Sequence, residues 1–145
     1  MSSGSDAPIL DYLQAQILLE STIASFAARR RTDGDLRLIK DRLVLRGEWK
    51  LGRQRSEFFE RDRLFHDSIS AASHNPPLSQ IHRTFVTAER QRLRLLVDVG
   101  ISPGMDFMAH NRIYSAIADQ DSVEAENAVR NMFAPLLEFV ATDLK

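Results

Sequence analysis

Residues 56–73, SEFFERDRLFHDSISAAS, decide the fold class of this chain. Spacings of three and four residues bring one set of side chains onto a single face of a helix: Phe58, Asp62, Phe65, His66 and Ile69. The apolar members of this set predict that the face is buried. Because a buried carboxylate is costly unless something pairs with it, Asp62 and His66 indicate a polar site inside a helical domain.

Helical periodicity continues on both sides of this segment. Ahead of it, we predict one helix from Pro8 to the arginines at 29–31 and a second helix that ends near Gly52. After the break at Pro76 and Pro77, we predict a fourth helix that extends toward Gly100. A fifth helix over about 105–119 and a sixth over about 121–144 follow. With short connections and no strand-like alternation, this pattern predicts an all-α antiparallel bundle of six or seven helices.

Composition excludes several classes of protein. The 145 residues, 43% hydrophobic and 27% charged, fit one globular domain, which we place at 8–145 behind a flexible tail of residues 1–7. A net charge of -1, from 19 basic and 20 acidic residues, argues against an autonomous nucleic-acid binder. The absence of cysteine excludes disulfides and thiolate metal sites. Since neither a membrane span nor a signal peptide is recognisable, we expect no membrane partner and a cytoplasmic location.

The predicted fifth helix repeats the anomaly of the third, because His110 stands inside its apolar stripe between Phe107 and Ile113. Together with Asp62 and His66, it could supply three nitrogen and oxygen donors to one point inside a bundle. Imidazole and carboxylate ligands suit zinc, nickel, iron or manganese. The alternative is a structural ion pair between Asp62 and His66, with His110 as a hydrogen-bonded core histidine.

Four segments occur in an order and at separations that match a known family. They are Leu19-Glu20 with the alanines that follow, Asp62-Arg63-Leu64-Phe65-His66, Ser73-His74-Asn75-Pro76, and His110 followed by Ile113, Ile117 and Asp121. These segments resemble the effector-binding FCD domain, the C-terminal domain of FadR-type GntR transcription regulators, over nearly the whole chain. The resemblance implies a homodimer whose central cavity binds a small metabolite, often a carboxylic acid. DNA would then be bound only through a winged helix-turn-helix domain that these 145 residues lack.

The resemblance also implies a divalent metal, which an Asp and three His hold in many members of the family. Three of these positions correspond to Asp62, His66 and His110, while Met132 occupies the fourth, where a soft thioether suits such metals poorly. On the first helix, Gln16 stands where the family commonly has arginine. Two versions of the site remain open. Either the three remaining donors hold zinc, nickel or a similar ion, or the histidines bind the effector without metal.

Further candidates for effector contact are Gln16, Asn111, Tyr114, Arg83, Arg90 and Met132. A solvated helix face is the favoured alternative for the two arginines, and core packing is the alternative for Tyr114. His74 and His82 are expected at the surface. Two other functions remain open, a metal-dependent hydrolytic or lyase-type helical enzyme and a dimerisation module with a vestigial cavity. The sequence contains neither the Glu-x-x-His pairs of di-iron bundles nor a His-Glu-x-x-His motif, so no such motif supports the enzyme.

Overall fold

The computed structural model describes residues 3–48, 55–86 and 106–143, which form six α-helices. These are α1 (Ser3–Arg30), α2 (Asp33–Arg46), α3 (Arg55–Ala72), α4 (76–86 in its described part), α5 (Phe107–Ala118) and α6 (Ser122–Asp143). No strand occurs in these ranges, and the predicted all-α class is confirmed. None of the described helices combines the length and the apolar composition that a membrane crossing requires.

Helix α1 lies at the centre of the bundle, packed against α3, α5 and α6. Helices α5 and α6 follow each other closely in the chain and also pack together, as a helical hairpin does. Although only Arg31 and Thr32 join α1 to α2, the described part of α2 packs against α3 and α5 instead of α1. One continuous apolar core results, with contributions from α1, α2, α3, α5 and α6. The polar residues of α3 and α5 that the sequence singles out therefore belong to two helices that both pack against α1 and α2.

Polar contacts fix the start of α2. The Thr32 hydroxyl accepts a hydrogen bond from the Asp35 N–H at 3.0 Å, and the Asp35 carboxylate accepts one from the Thr32 N–H at 2.8 Å. This reciprocal pair is a capping box, which satisfies donors that the first turn of a helix leaves unpaired. His74 Nε2 lies 2.5 Å from Asp35 Oδ2, so the turn after α3 is tied to the same cap. His74 is exposed, as expected from the sequence.

Most helix bounds fall within two residues of the predicted ones, but two differ. Helix α1 begins at Ser3, so residues 3–7 are helical instead of the predicted flexible tail. Pro8 removes one backbone donor but does not end the helical geometry. Helix α2 ends at Arg46 because Gly47 adopts φ 61°, a left-handed value that glycine takes without steric cost. The predicted continuation of α4 beyond residue 86 lies outside the described residues.

Candidate functional site

Three donor atoms converge inside the bundle from α3 and α5. Asp62 Oδ1 lies 3.5 Å from His66 Nε2 and 3.4 Å from His110 Nε2. The donor atoms of the three residues all lie within 4.8 Å of one another. Asp62 and His66 meet because one helical turn separates them, and the packing of the bundle brings His110 to them. The structure therefore brings together the three residues that the sequence assigns to one site.

Both histidine rings are oriented by a hydrogen bond at the nitrogen that faces away from Asp62. His66 Nδ1 lies 3.1 Å from Glu20 Oε1, and His110 Nδ1 lies 2.9 Å from the backbone carbonyl of Asp106. Each acceptor requires a proton on Nδ1, which leaves Nε2 as the atom directed at Asp62. Metal-binding histidines are typically held in this way by a carboxylate or a carbonyl behind the ring.

Arg46, the last residue of α2, supplies a buried cation to the site. Its Nε donates to Asp62 Oδ1 at 2.7 Å, and its Nη1 donates to the Gly47 carbonyl at 2.9 Å. The guanidinium carbon also lies 4.8 Å from the centroid of the Phe58 ring. The Arg46 side chain is 0% exposed, against 21% for Asp62. A permanent positive charge is therefore enclosed beside the carboxylate of the candidate site.

Glu20 on α1 extends the polar network toward α4. Its Oε1 lies 3.6 Å from His82 Nε2, and its Oε2 accepts a hydrogen bond from Gln16 Nε2 at 2.8 Å. Gln16, Glu20 and His82 are all buried. The connected ionisable side chains are called the ionic cluster below: Glu20, Arg46, Asp62, His66, His82 and His110.

Opposite charges within the ionic cluster compensate the cost of burial. Burial alone would raise the pKa of Asp62 and Glu20, but the neighbouring histidines outweigh it and hold both pKa values below the usual range. Burial alone would lower the pKa of His66, but the two carboxylates raise it to about 10. Burial lowers the pKa of His110, although Asp62 opposes this. At neutral pH, two carboxylates therefore face the cations of Arg46 and His66.

A small cavity adjoins the ionic cluster. It is lined by Glu20, Ile23, Ala24, His66, Ile69, His82, Ile113 and Val129. The space open to the centre of a water-sized sphere is about 10 Å³, enough for about one water molecule or ion. A surface groove with about 440 Å³ of such space lies along the end of α3 and the start of α4, and His82 contributes to both linings. In this conformation, this cavity has room for an ion but not for a metabolite.

His82 corrects the sequence interpretation of α4. It was expected at the surface but is 2% exposed, whereas its apolar neighbour Ile81 is 58% exposed. The buried face follows the spacing of Leu78, His82 and Val86. The polarity of histidine concealed this register, because Glu20 compensates for its burial only through a contact between helices.

Glu20 and Arg46 were not among the residues predicted for the site. Both positions carry a signal in the sequence, since Gln16 and Glu20 stand one turn apart on an apolar helix. Likewise, Ile39, Leu43 and Arg46 follow at spacings of four and three, and all three are buried. An arginine that continues an apolar stripe at the end of a helix indicates a buried ion pair.

The remaining candidates occupy different surroundings. Met132 on α6 is 5% exposed within the core, and Asn111 and Tyr114 on α5 are half-buried. The Lys40 ammonium lies 5.0 Å from the centroid of the Tyr114 ring. Arg83 is exposed, donates to Gln80 and lines the surface groove. Arg90 lies outside the described residues.

Comparison with known proteins identifies a family and two regulators of similar sequence. The family model of the FCD domain matches residues 11–134. The HTH-type transcriptional regulator LutR of Bacillus subtilis (strain 168) is 30% identical over 122 residues, which cover 81% of this chain and 55% of LutR. The galactonate operon transcriptional repressor of Escherichia coli (strain K12) is 30% identical over 119 residues, which cover 81% of this chain and 51% of the repressor. The chain thus spans about half the length of the curated relatives it matches.

A solved structure supports the fold independently. E. coli McbR/YncC superposes with a TM-score of 0.75 at 13% sequence identity, over 92% of this chain and 67% of that one. At this identity, the likeness shows the shared all-helical fold alone. The relatives of similar sequence are transcription regulators and not enzymes, so the alternative of a helical enzyme is set aside. The chain belongs to the FCD domain family of GntR-type transcription regulators.

Proposed function

We propose that this chain is the effector-sensing and dimerising part of a GntR-type transcription regulator, and that it binds a small carboxylate through a divalent metal such as zinc or nickel. The observation that supports a metal site is the convergence of Asp62, His66 and His110 in the interior. The sensing role is supported by the match to the FCD family.

The donor set fits a divalent ion in distance and in chemistry. Two ligands of one tetrahedral zinc, with bonds of about 2.0–2.2 Å, lie about 3.4 Å apart. The distances from Asp62 Oδ1 to the two histidine Nε2 atoms, 3.5 and 3.4 Å, agree with this separation. Since Met132 offers only a soft sulfur, three protein ligands would leave coordination positions for water or for the effector.

A bound ion would supply a Lewis acid to an effector carboxylate. The chain's own residues would arrange the rest of the site. Glu20 and the Asp106 carbonyl hold the rings of His66 and His110, which keeps Nε2 of each ring toward Asp62. Gln16, Asn111 and Tyr114 remain the candidates for polar contacts with the effector. Met132 remains the candidate for apolar contact. Arg83 and Arg90 remain the candidates for pairing with the negative charge of the effector.

The small size of the interior cavity supports a switching role. With space for about one water or ion, this cavity must widen to admit a metabolite. An effector that binds only the wider arrangement has different affinities for the two conformations, and this difference is what shifts a conformational equilibrium. In the proposed regulator, the shift alters how two subunits present winged helix-turn-helix domains to DNA.

Hydroxy acids are the effector class that we propose to test first. One relative is named for the galactonate operon, and galactonate is a sugar acid with a single carboxylate. Such an acid offers one negative oxygen pair for a metal, and hydroxyl groups for polar side chains such as Gln16. The buried polar groups around Glu20 suit this mixture of charge and hydroxyl groups better than a purely apolar ligand.

Thermal unfolding with and without zinc or nickel, in the presence of single carboxylates and sugar acids, tests the proposal. A ligand that binds only the folded state raises the melting temperature with concentration. We expect stabilisation by the metal and further stabilisation by a matching acid, without turnover of the acid. Indifference to metals and acids alike would instead favour a dimerisation module with a vestigial cavity, and sedimentation equilibrium would then measure the dimer directly.

A further inference from the structure

His82 lies between two spaces of very different size. One is the cavity beside the ionic cluster, with about 10 Å³ open to the centre of a water-sized sphere, and the other is the surface groove, with about 440 Å³. Of the residues that line these two spaces, His82 alone belongs to both linings. Helix α3 contributes to the same partition, since Ile69 lines the cavity and the next residue, Ser70, lines the groove. The buried side chain of His82 therefore forms part of the wall between the groove and the interior.

The contact between His82 and Glu20 is a long one. The distance from His82 Nε2 to Glu20 Oε1 is 3.6 Å, beyond the usual range of a hydrogen bond. Glu20 itself has shorter contacts, 3.1 Å to His66 Nδ1 and 2.8 Å to Gln16 Nε2. If the His82 ring turned toward the groove, Glu20 would keep these two partners, and the ring nitrogens would reach water. A change of the His82 rotamer would therefore join the two spaces while the buried carboxylate stays paired.

The backbone around His82 is held by contacts of its own. The Leu78 N–H donates to Asn75 Oδ1 at 3.2 Å, and the Ser79 hydroxyl donates to the Ser70 carbonyl at 3.1 Å. These bonds hold the first turn of α4, and the second of them ties it to α3. Rotation of one side chain therefore opens the wall with less rearrangement than a displacement of α4.

We propose that His82 is the gate of an entry route for small polar solutes, which runs from the surface groove to the cavity beside the ionic cluster. The groove suits such solutes because hydroxyl, amide and charged side chains line it, among them Ser70, Asn75 and Arg83. Water, inorganic ions and small organic acids belong to this class. The route requires neither a bound metal nor a bound effector, so it can be tested separately from the proposed function.

The alternative role for His82 is to pair with Glu20 and nothing more. Two substitutions separate this role from that of a gate. Alanine removes the imidazole and its bulk, whereas leucine removes the imidazole but keeps most of the bulk. If pairing with Glu20 is the whole role, His82→Ala and His82→Leu loosen the interior alike. If His82 is a gate, only His82→Ala opens the route.

Because the chain contains no cysteine, a single introduced thiol can report access to the cavity. Val129 is buried and lines the cavity, so Val129→Cys, a substitution of similar size, places the thiol at the inner end of the route. Val140→Cys is the matched control, because Val140 is buried on the same helix but lines neither space. Mass spectrometry follows the reaction of the full chain with methyl methanethiosulfonate, a small neutral thiol reagent, in the presence of a metal chelator.

We expect His82→Ala to raise the labelling rate of the Val129→Cys thiol about tenfold, because the reagent no longer depends on rotation of the ring. Labelling of the Val140→Cys thiol should change less than about twofold, since it reports only general opening of the bundle. His82→Leu should leave the labelling rate of the Val129→Cys thiol within about twofold of its value with His82. Gln80→Ala, which alters the groove but not the gate, should also leave this rate within about twofold.

Three results would contradict the gate. Equal acceleration by His82→Ala and His82→Leu would assign His82 to the pairing of Glu20. Equal acceleration of the Val129→Cys and Val140→Cys thiols would mean that the whole bundle opens, and an unchanged rate in His82→Ala would mean that the route lies elsewhere. Circular dichroism checks each fold, and His82→Ser provides a second small side chain if His82→Ala does not fold. Zinc titration of the wild type tests the proposed metal site by itself, so a failed gate and a failed metal site are distinguishable.

Discussion

Two regions of the same interior are built by opposite rules. One is the ionic cluster, and the other is a set of small or apolar side chains that we call the apolar seam: Ala27, Ala28, Ile117, Ala125 and Ala128, each at most 2% exposed. Side chains of the apolar seam stabilise the fold simply by leaving water. Buried charges stabilise it little, because desolvation offsets their attraction. From this difference, we expect stability and the proposed ligand binding to depend on separate parts of the bundle.

The largest effect should come from a truncation in the apolar seam. Ile117→Ala removes buried methyl groups and leaves a cavity, which we expect to lower the free energy of unfolding by about 3 kcal/mol. Urea denaturation followed by circular dichroism measures this loss. Val123→Ala, at a position that is 66% exposed, is the control and should change stability by less than about 0.5 kcal/mol. The zinc affinity of the folded Ile117→Ala variant should equal that of the wild type. A large loss of zinc affinity would show that the apolar seam and the ionic cluster are not independent.

A variant in the ionic cluster should show the reverse pattern. Asp62→Asn keeps an oxygen for the Arg46 guanidinium but removes the charged metal ligand, so we expect zinc affinity to fall about a hundredfold, or about 2.7 kcal/mol. Titration calorimetry measures the change. Asp67→Asn on the same helix is the control, because the half-buried Asp67 pairs with Arg63 outside the ionic cluster. Undiminished zinc binding in Asp62→Asn would leave Asp62 and His66 as a structural ion pair.

Met132 offers a gain of binding instead of a loss. If its position on α6 reaches the site, as the family resemblance implies, Met132→His supplies a fourth nitrogen ligand and should raise zinc affinity about tenfold, or about 1.4 kcal/mol. Met108→His is the control, since Met108 is 54% exposed. If calorimetry gives the same zinc affinity for Met132→His and the wild type, position 132 does not share the site of Asp62, His66 and His110.

The two regions also differ in how far the sequence predicts them. The apolar seam follows from periodicity, because alanines and isoleucines at helical spacing determine which face of a helix is buried. The convergence of Asp62, His66 and His110 was predictable because each interrupts an apolar stripe, and the family resemblance placed their helices in one bundle. Here the rule that buried polar groups need partners points directly to the site.

The partners of these residues were not predictable in the same way. Glu20, Arg46 and His82 come from three further helices, and no spacing within a helix states which acid will meet which base. For His82, burial depends on a compensating charge from α1, so the expected surface position was wrong. Tertiary pairing of charges is therefore the part of this site that required coordinates.

The apolar seam has one polar exception, which gives the smallest expected effect. Ser21 stands seven residues before Ala28 and thus on its side of α1, and its buried Oγ has no hydrogen-bond partner in the described structure. Ser21→Ala removes an unsatisfied hydroxyl and improves helix propensity, so we expect the free energy of unfolding to rise by about 1 kcal/mol.

Ser73→Ala is the matched control for this gain, because the buried Ser73 hydroxyl donates to the Ser70 carbonyl at 2.6 Å. Its removal should cost about 1 kcal/mol, opposite in sign to the change at Ser21. Urea denaturation of both variants measures the two changes on one scale. Because the proposed zinc site lies in the ionic cluster, neither variant should alter zinc binding. Equal destabilisation by the two substitutions would mean that the Ser21 hydroxyl stabilises the fold. The apolar seam would then stabilise buried polar groups through partners, as the ionic cluster does.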